Sequence, residues 1–224
     1  MKQIIVGLLI LGLAGSALAR DKADLDNQIR KLTSKFEAMQ SKPDKAIPAE
    51  TLGKAQGIIL LDRTKAGFIF AFQGGGGVAL VKDPKGGKWS PAAFVSATEA
   101  SLGFQIGGQQ TFVVILLMNT NAARILTDSD VEFGGEARGT AGSSSSGVEG
   151  KVSTTERSVL VYDDRNGLYG GAAIKGGSLS LDEDANQIYY GQYQTMEDIL
   201  FNKKVKQSET TITLAEKIVQ HSKK

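Results

Sequence analysis

The chain has 224 residues, with 26 Lys plus Arg against 24 Asp plus Glu, one histidine and no cysteine. So even a charge balance argues against nucleic acid as a partner. The missing cysteines exclude disulfides, thiolate nucleophiles and thiolate zinc sites, and a lone His221 leaves no Ser-His pair and no histidine metal cluster.

Residues 1–19 read as a cleavable secretory leader: Lys2 starts it, Ile4 to Ala14 is apolar apart from glycine, and Ala17-Leu18-Ala19 forms a small-x-small cleavage site. Its removal takes away Lys2 and no acid, which leaves 25 basic against 24 acidic side chains. The residue after the cleavage site is Arg20, not the cysteine that a lipoprotein needs, so any membrane contact must come from the folded chain. No later stretch is long and apolar enough to span a bilayer. The expected location is periplasmic or secreted.

Residues 20–45 carry Leu25, Ile29, Leu32, Phe36 and Met39 at alternating spacings of four and three, which predicts an amphipathic helix from Asp24 to Ser41, closed by Pro43. Its stripe serves a membrane, a partner, or the protein's own sheet. Pro48 and Glu50 open a short helix, and Gly57 to Asp62 reads as a strand. Arg63-Thr64-Lys65 is expected to interrupt before a second strand from Gly67. Gly74 to Gly77 formally fits a dinucleotide fingerprint with Ala79, but Val78 to Val81 is strand-like where that fingerprint needs a helix. A hairpin with a glycine bulge is the expectation.

Phe112 to Met118 is apolar without alternation, which predicts a central strand buried on both faces. Asn119 to Leu126 reads as a short capped helix, and Gly142 to Gly147 as a flexible loop. Asn166-Gly167 marks a hairpin turn between Ser158 to Tyr162 and Leu168 to Ile174. Asp182 opens a helix to Tyr190, and Thr195 starts another. In 202–224, six lysines against two glutamates make a basic tail, with a capping box at Thr213 and Glu216. Among the acids, Asp62, Glu99, Asp163 and Asp182 are candidates for a catalytic carboxylate pair, but no spacing singles one out.

The ordered set Lys65-Ala-Gly-Phe68, the glycine run with its Val/Leu strand, Trp89-Ser-Pro91, Gly103-Phe-Gln-Ile-Gly107 and Tyr189-Tyr-Gly191 resembles the SYLF domain family, over roughly Leu52 to Leu200. The resemblance implies non-catalytic binding of acidic phospholipid, with phosphoinositide-like headgroups, at a membrane surface. From the residues themselves, without a helix after the glycine run and without Cys or His clusters, no cofactor and no metal are expected. Actin binding, associated with some eukaryotic members, is not carried over to an exported bacterial-type chain.

The fold expected is α+β: an antiparallel, glycine-rich sheet, open or curved into a barrel, with helices at both ends of the chain. A SYLF-like domain fills 46–201. The candidate lipid-binding residues are Lys54, Arg63, Lys65, Lys82, Lys85 and Lys88. Gathered on one edge, they would each contribute about 1 kcal/mol against an anionic membrane. The alternative is an envelope protein that binds a protein partner through its N-terminal stripe.

Overall fold

The computed structural model describes residues 20–66, 72–98, 111–127, 131–133, 158–164, 167–168 and 177–223. The proposed leader, the 142–147 loop, Glu99 and the 103–107 motif lie outside them.

Helix α1 spans Lys22–Gln40. It starts two residues before the predicted Asp24 because Asp21 caps it: the Asp21 side chain accepts from the Asp24 amide while the Asp24 carboxylate accepts from the Asp21 amide. This reciprocal box satisfies amides that the first turn would otherwise orphan. Helix α2, Ala49–Lys54, follows Pro48 and leads into strand β1, Gly57–Ala66.

The remaining strands are β2 (Phe72–Val81), β3 (Ala93–Thr98), β4 (Thr111–Leu117), β5 (Val131–Phe133), β6 (Val159–Asp163), β7 (Gly167–Leu168) and β8 (Gly177–Leu181). They form one sheet in the order β5-β8-β3-β2-β1-β4-β6-β7, antiparallel throughout. Among the described residues its outer strands β5 and β7 do not pair with each other, so the sheet is open and the barrel alternative is set aside. β6 pairs with β7 as the hairpin reading expects, but Gly167 lies in the ladder opposite Asp163 and so is a strand residue, not the centre of the turn.

Both faces of this sheet are covered, which is why β4 shows no polar alternation. Phe112, Val114 and Leu116 point to one face with Ile58, Leu60, Val78 and Leu80. Val113, Ile115 and Leu117 point to the other with Ile59, Leu61, Ala79 and Val81. Antiparallel sheets commonly leave one face in water; covering both turns period-two patterning into a continuous apolar run.

The first face is roofed by α1, by α4 (Glu183–Tyr190) and by α6 (Glu209–His221). All five stripe residues of α1, Leu25 to Met39, are at most 1% exposed. Of the three uses open to that stripe, packing on the sheet is therefore the one realised, and its apolar groups are not free for a membrane or a partner. The second face is covered by α3 (Thr120–Arg124, capped by Asn119), a 3-10 turn at Ile125–Thr127, and α5 (Met196–Leu200, capped by Thr195).

Two further local expectations fail. The first concerns the glycines: β1 does not break at Arg63-Thr64-Lys65, and the Gly74–Gly77 run is strand interior, paired in unbroken register from Gly57 opposite Val81 to Ala66 opposite Phe72. A side chain at Gly77 would put its Cβ 2.1 Å from the Leu60 carbonyl oxygen and 2.7 Å from Leu61 Cδ2. The glycine is there because the neighbouring strand leaves no room for a Cβ, not because the chain turns. The second concerns α6, which begins at a Ser208 cap, five residues before the Thr213 box. Thr213 instead bonds back to the Glu209 carbonyl inside the helix. His221, the last residue of α6, meets Phe36 edge-on, ring centroids 5.7 Å apart.

Candidate functional site

The register decides which of the candidate cations can act together. Gly57 lies opposite both Val81 and Leu117, so α2, the β2–β3 turn and the entry to α3 share one end of the sheet. Lys54, Lys82, Lys85 and Lys88 lie at that end. Arg63, opposite Gly75, and Lys65, opposite Gln73, lie toward the other end, about 20–25 Å along the strand. The structure thus brings four of the six together and separates two.

The β2–β3 turn is built by Asp83. Its Oδ1 accepts from the Lys85 amide, its carbonyl accepts from the Gly87 amide and its own amide donates to the Lys88 carbonyl. Gly87 takes φ +64°, a left-handed conformation that glycine adopts without a Cβ penalty. This leaves Lys85 and Lys88 exposed on either side of a fixed loop. Beyond it, Trp89 is buried at 6% exposure, and Ser90 accepts from the Val81 amide while donating to the Pro91 carbonyl. Trp89 is thus a core residue and Ser90 a hydrogen-bonding brace.

Lys82 is partly committed. Its Nζ donates to the Gly53 carbonyl at 2.8 Å, at the C-terminal end of α2, and lies 5.9 Å over the Trp89 ring. Lys54 pairs with Glu50 one turn earlier. Lys85 and Lys88 make no ion pair with any described residue.

Two further segments close on this end. The chain leaves α4 on the first face, passes through 191–195 to α5 on the second, and returns through 201–208 to α6 on the first. Both crossings go around the end that carries the turn. Tyr190, just before the first crossing, donates its hydroxyl to the Ala92 carbonyl at 2.5 Å, and Gln207 in the second donates to the carbonyls of Trp89 and Ser90 at 2.8 and 2.9 Å. Lys203 donates to Asp83 Oδ2. That hydrogen bond, then the Lys85 amide, holds the Asp83 carboxyl below its ordinary pKa.

Lys203 is the only described non-glycine residue with positive φ, +53°. A lysine in left-handed backbone carries a steric penalty that glycine would avoid. Lys204 pairs with Asp198, and Lys206 is exposed with no acid partner among the described residues. The tail's positive charge was visible in the sequence. That Lys203 and Lys206 join Lys85 and Lys88 was not, because more than a hundred residues separate them in the chain.

Of the candidate carboxylates, the three described ones, Asp62, Asp163 and Asp182, do not come together as a pair. Asp62 sits on the α1 face of β1, where Lys31 and Lys35 reach it at 2.7 and 2.5 Å. Burial raises its pKa, but those two lysine hydrogen bonds prevail and leave it lowered. Asp163, opposite Val113, points to the opposite face, and Asp182 caps α4 at the far end of β8.

Among the described residues that carry the family resemblance, Tyr189, Tyr190 and Gly191 are structural. The Tyr189 hydroxyl donates to Asp26 Oδ1 at 2.7 Å and lies 2.6 Å from Ser208 Oγ, joining α4 to α1 and α6. Thr210 donates to the same carboxylate oxygen at 2.6 Å. Tyr190 ties α4 to the start of β3, and Gly191 ends the helix at φ +71°. Asn186, 1% exposed, accepts from the Phe94 amide and donates to the Phe94 and Asp182 carbonyls, continuing the ladder where strand partners run out.

Comparison with known proteins agrees with this reading of the motifs. Residues 98–221 match the family described as Ysc84, Las17-binding protein actin regulator. The chain is 31% identical over 166 residues to SH3 domain-containing YSC84-like protein 1 of Xenopus laevis, covering 72% of this chain and 49% of that one. It is 31% identical over 161 residues to the protein of the same name from Homo sapiens, covering 71% of this chain and 47% of that one. With LAS seventeen-binding protein 3 of Saccharomyces cerevisiae the identity is 28% over 161 residues, 70% of this chain and 35% of that one. The chain spans about half or less of the length of these relatives. An antiparallel sheet with its Tyr-Tyr-Gly brace and a family match over more than half its length place this chain in the Ysc84, or SYLF, domain family.

Proposed function

We propose that the protein binds acidic phospholipid non-catalytically at a membrane surface, through the basic end of the sheet, in the periplasm or outside the cell. The observation that carries this reading is the presentation of Lys85, Lys88 and Lys206, exposed and without acid partners among the described residues, on segments braced by hydrogen bonds to the backbone. Cations on a pre-formed loop bind an anionic surface without first ordering the chain. Lys54, Lys82 and Lys203 add charge at the margin, although each already meets an acid or a carbonyl. Arg63 and Lys65 are placed too far along β1 to share one headgroup with them.

The test is flotation with phosphatidylcholine vesicles with and without phosphatidylglycerol. Lys85→Glu with Lys88→Glu is expected to abolish binding to the anionic vesicles, and high salt is expected to weaken it in the unaltered protein, since exposed attraction is screened over about 10 Å at 0.1 M. Charge reversal at Arg63 and Lys65 is expected to have the smaller effect. If the Lys85/Lys88 variant floats as well as the unaltered protein, the site is wrong. If the unaltered protein does not float at all, the ligand class is wrong, and a protein partner, in the sense of the relatives' names, takes its place.

A further inference from the structure

Among the described residues, the exposed large apolar side chains are Ile188 at 39%, Tyr193 at 59% and Ile212 at 42%. Their places in the fold are not scattered. Ile188 is in the last turn of α4, Tyr193 is inside the first crossing, and Ile212 is in the first turn of α6 after the second crossing. All three therefore flank the two segments that wrap the basic end. Tyr193 makes no hydrogen bond to a described residue, whereas Tyr189 and Tyr190 are both bonded through their hydroxyls.

We infer that this end is seated on the bilayer, with Tyr193 as its interfacial anchor and Ile188 and Ile212 as flanking contacts, while the lysines of the turn and second crossing meet the headgroups. The inference rests on the lipid reading above and deepens it: it assigns an apolar component and an orientation to what charge alone would leave as loose attraction. Tyrosine suits the task because its ring partitions into the headgroup layer while its hydroxyl stays hydrated. Lysine stems lie along apolar material with the ammonium group in water, so Lys85, Lys88 and Lys206 can sit beside a partly inserted ring.

Charge complementarity favours a lipid surface over a protein as the occupant. Protein interface cores are depleted of lysine, and the end wrapped by the two crossings presents Lys85, Lys88 and Lys206, exposed and without acid partners among the described residues. Each apolar group is also presented singly from a different segment, which suits shallow insertion into a soft interface better than a continuous protein contact.

The experiment uses the purified protein and phosphatidylcholine vesicles containing phosphatidylglycerol. Tyr193→Ser is expected to weaken binding about fivefold, the effect of roughly half-burying one aromatic side chain, and to weaken it equally at low and high salt. Tyr193→Trp is expected to show fluorescence quenching by brominated lipid beyond that of the unaltered protein, whose only tryptophan, Trp89, is buried. Ser34→Trp, on the exposed side of α1, is expected to show no such excess. If the unaltered protein floats, Tyr193→Ser floats equally and Tyr193→Trp is not quenched, then the anchor is refuted and the electrostatic reading stands. If Ser34→Trp is quenched as strongly as Tyr193→Trp, the orientation is refuted. Absence of any flotation by the unaltered protein overturns both.

Discussion

Tyr189 and Tyr193 are four residues apart and have opposite surroundings. Tyr189 is 3% exposed, with its hydroxyl among Asp26, Ser208 and Thr210, its ring edge-on to Phe94 at 4.9 Å and Lys22 Nζ 5.4 Å above it. Tyr193 is 59% exposed, and its hydroxyl meets no described residue. The buried one fastens three helices to one sheet. The exposed one belongs to the rim that also carries Lys85, Lys88 and Lys206, which have no acid partner among the described residues. Polar and aromatic groups consumed by internal contacts maintain the fold, and the same groups left over at one end are what the molecule has available for a partner.

The contrast can be tested by moving from the clamp to the rim. Tyr189→Ala removes the ring as well as the hydroxyl and is expected to cost about 4 kcal/mol, read as a fall in the urea midpoint. Asn186→Ala leaves the buried Phe94 amide without its partner, while the Phe94 and Asp182 carbonyls keep the Asp182 and Asn186 amides, so a loss of about 2 kcal/mol is expected in the same assay. Tyr189→Phe keeps the ring and leaves Thr210 still donating to Asp26, so about 1–2 kcal/mol is expected, with vesicle binding per folded molecule unchanged. If Tyr189→Phe reduced binding without affecting stability, the division between clamp and rim would collapse.

A weaker effect is expected from acid. Burial raises the Asp26 pKa, but hydrogen bonds from Thr210 and Tyr189 outweigh it, so the folded-state value lies below the ordinary 3.8. A carboxyl lowered on folding contributes stability above its unfolded pKa and loses that contribution as pH falls through the folded value. The clamp should therefore weaken below about pH 4. Melting at pH 6 and at pH 3 should show a larger drop for the unaltered protein than for Asp26→Asn, because Asp62 and the other carboxylates titrate in both. Equal drops would remove Asp26 from the account.

The smallest stability effects belong to the rim. Lys85→Glu with Lys88→Glu should shift stability by no more than about 0.5 kcal/mol, since both side chains are exposed and unpaired, although binding is lost. Lys203→Gly should not lower the melting temperature, because relief of its left-handed backbone opposes loss of the surface pair with Asp83, yet it should reduce anionic-vesicle binding. A large destabilisation in either would show that the rim is structural after all.

Much of the fold was legible in the residues because it follows from local periodicity. The four-and-three spacing of Leu25 to Met39 could only form one helical face, and Phe112 to Met118 could only be a strand with two apolar neighbours. The Asp182 and Thr195 caps and the hairpin of β6 with β7 are short-range signals that do not depend on distant contacts. The glycine run was misread because its cause is not local: Gly77 is required by the Leu60 carbonyl and the Leu61 side chain of the paired strand, and no pattern around residue 77 shows them. The Thr213 box was misread as the start of α6: Ser208 caps the helix instead, where its hydroxyl also lies beside Tyr189, a contact available only once α4 and α6 are packed together.

The sequence by itself determined the class of the molecule, an α+β domain of the SYLF family without cysteine or histidine chemistry, because composition, periodicity and short motifs act within a few residues of one another. Only the tertiary structure decided which of the evenly spread lysines share one end of the sheet, that the α1 stripe is spent inside, and that Tyr193 is left exposed in the first crossing. Those outcomes depend on strand register and on two chain crossings around one end of the sheet, which are set by long-range packing rather than by neighbours in the chain.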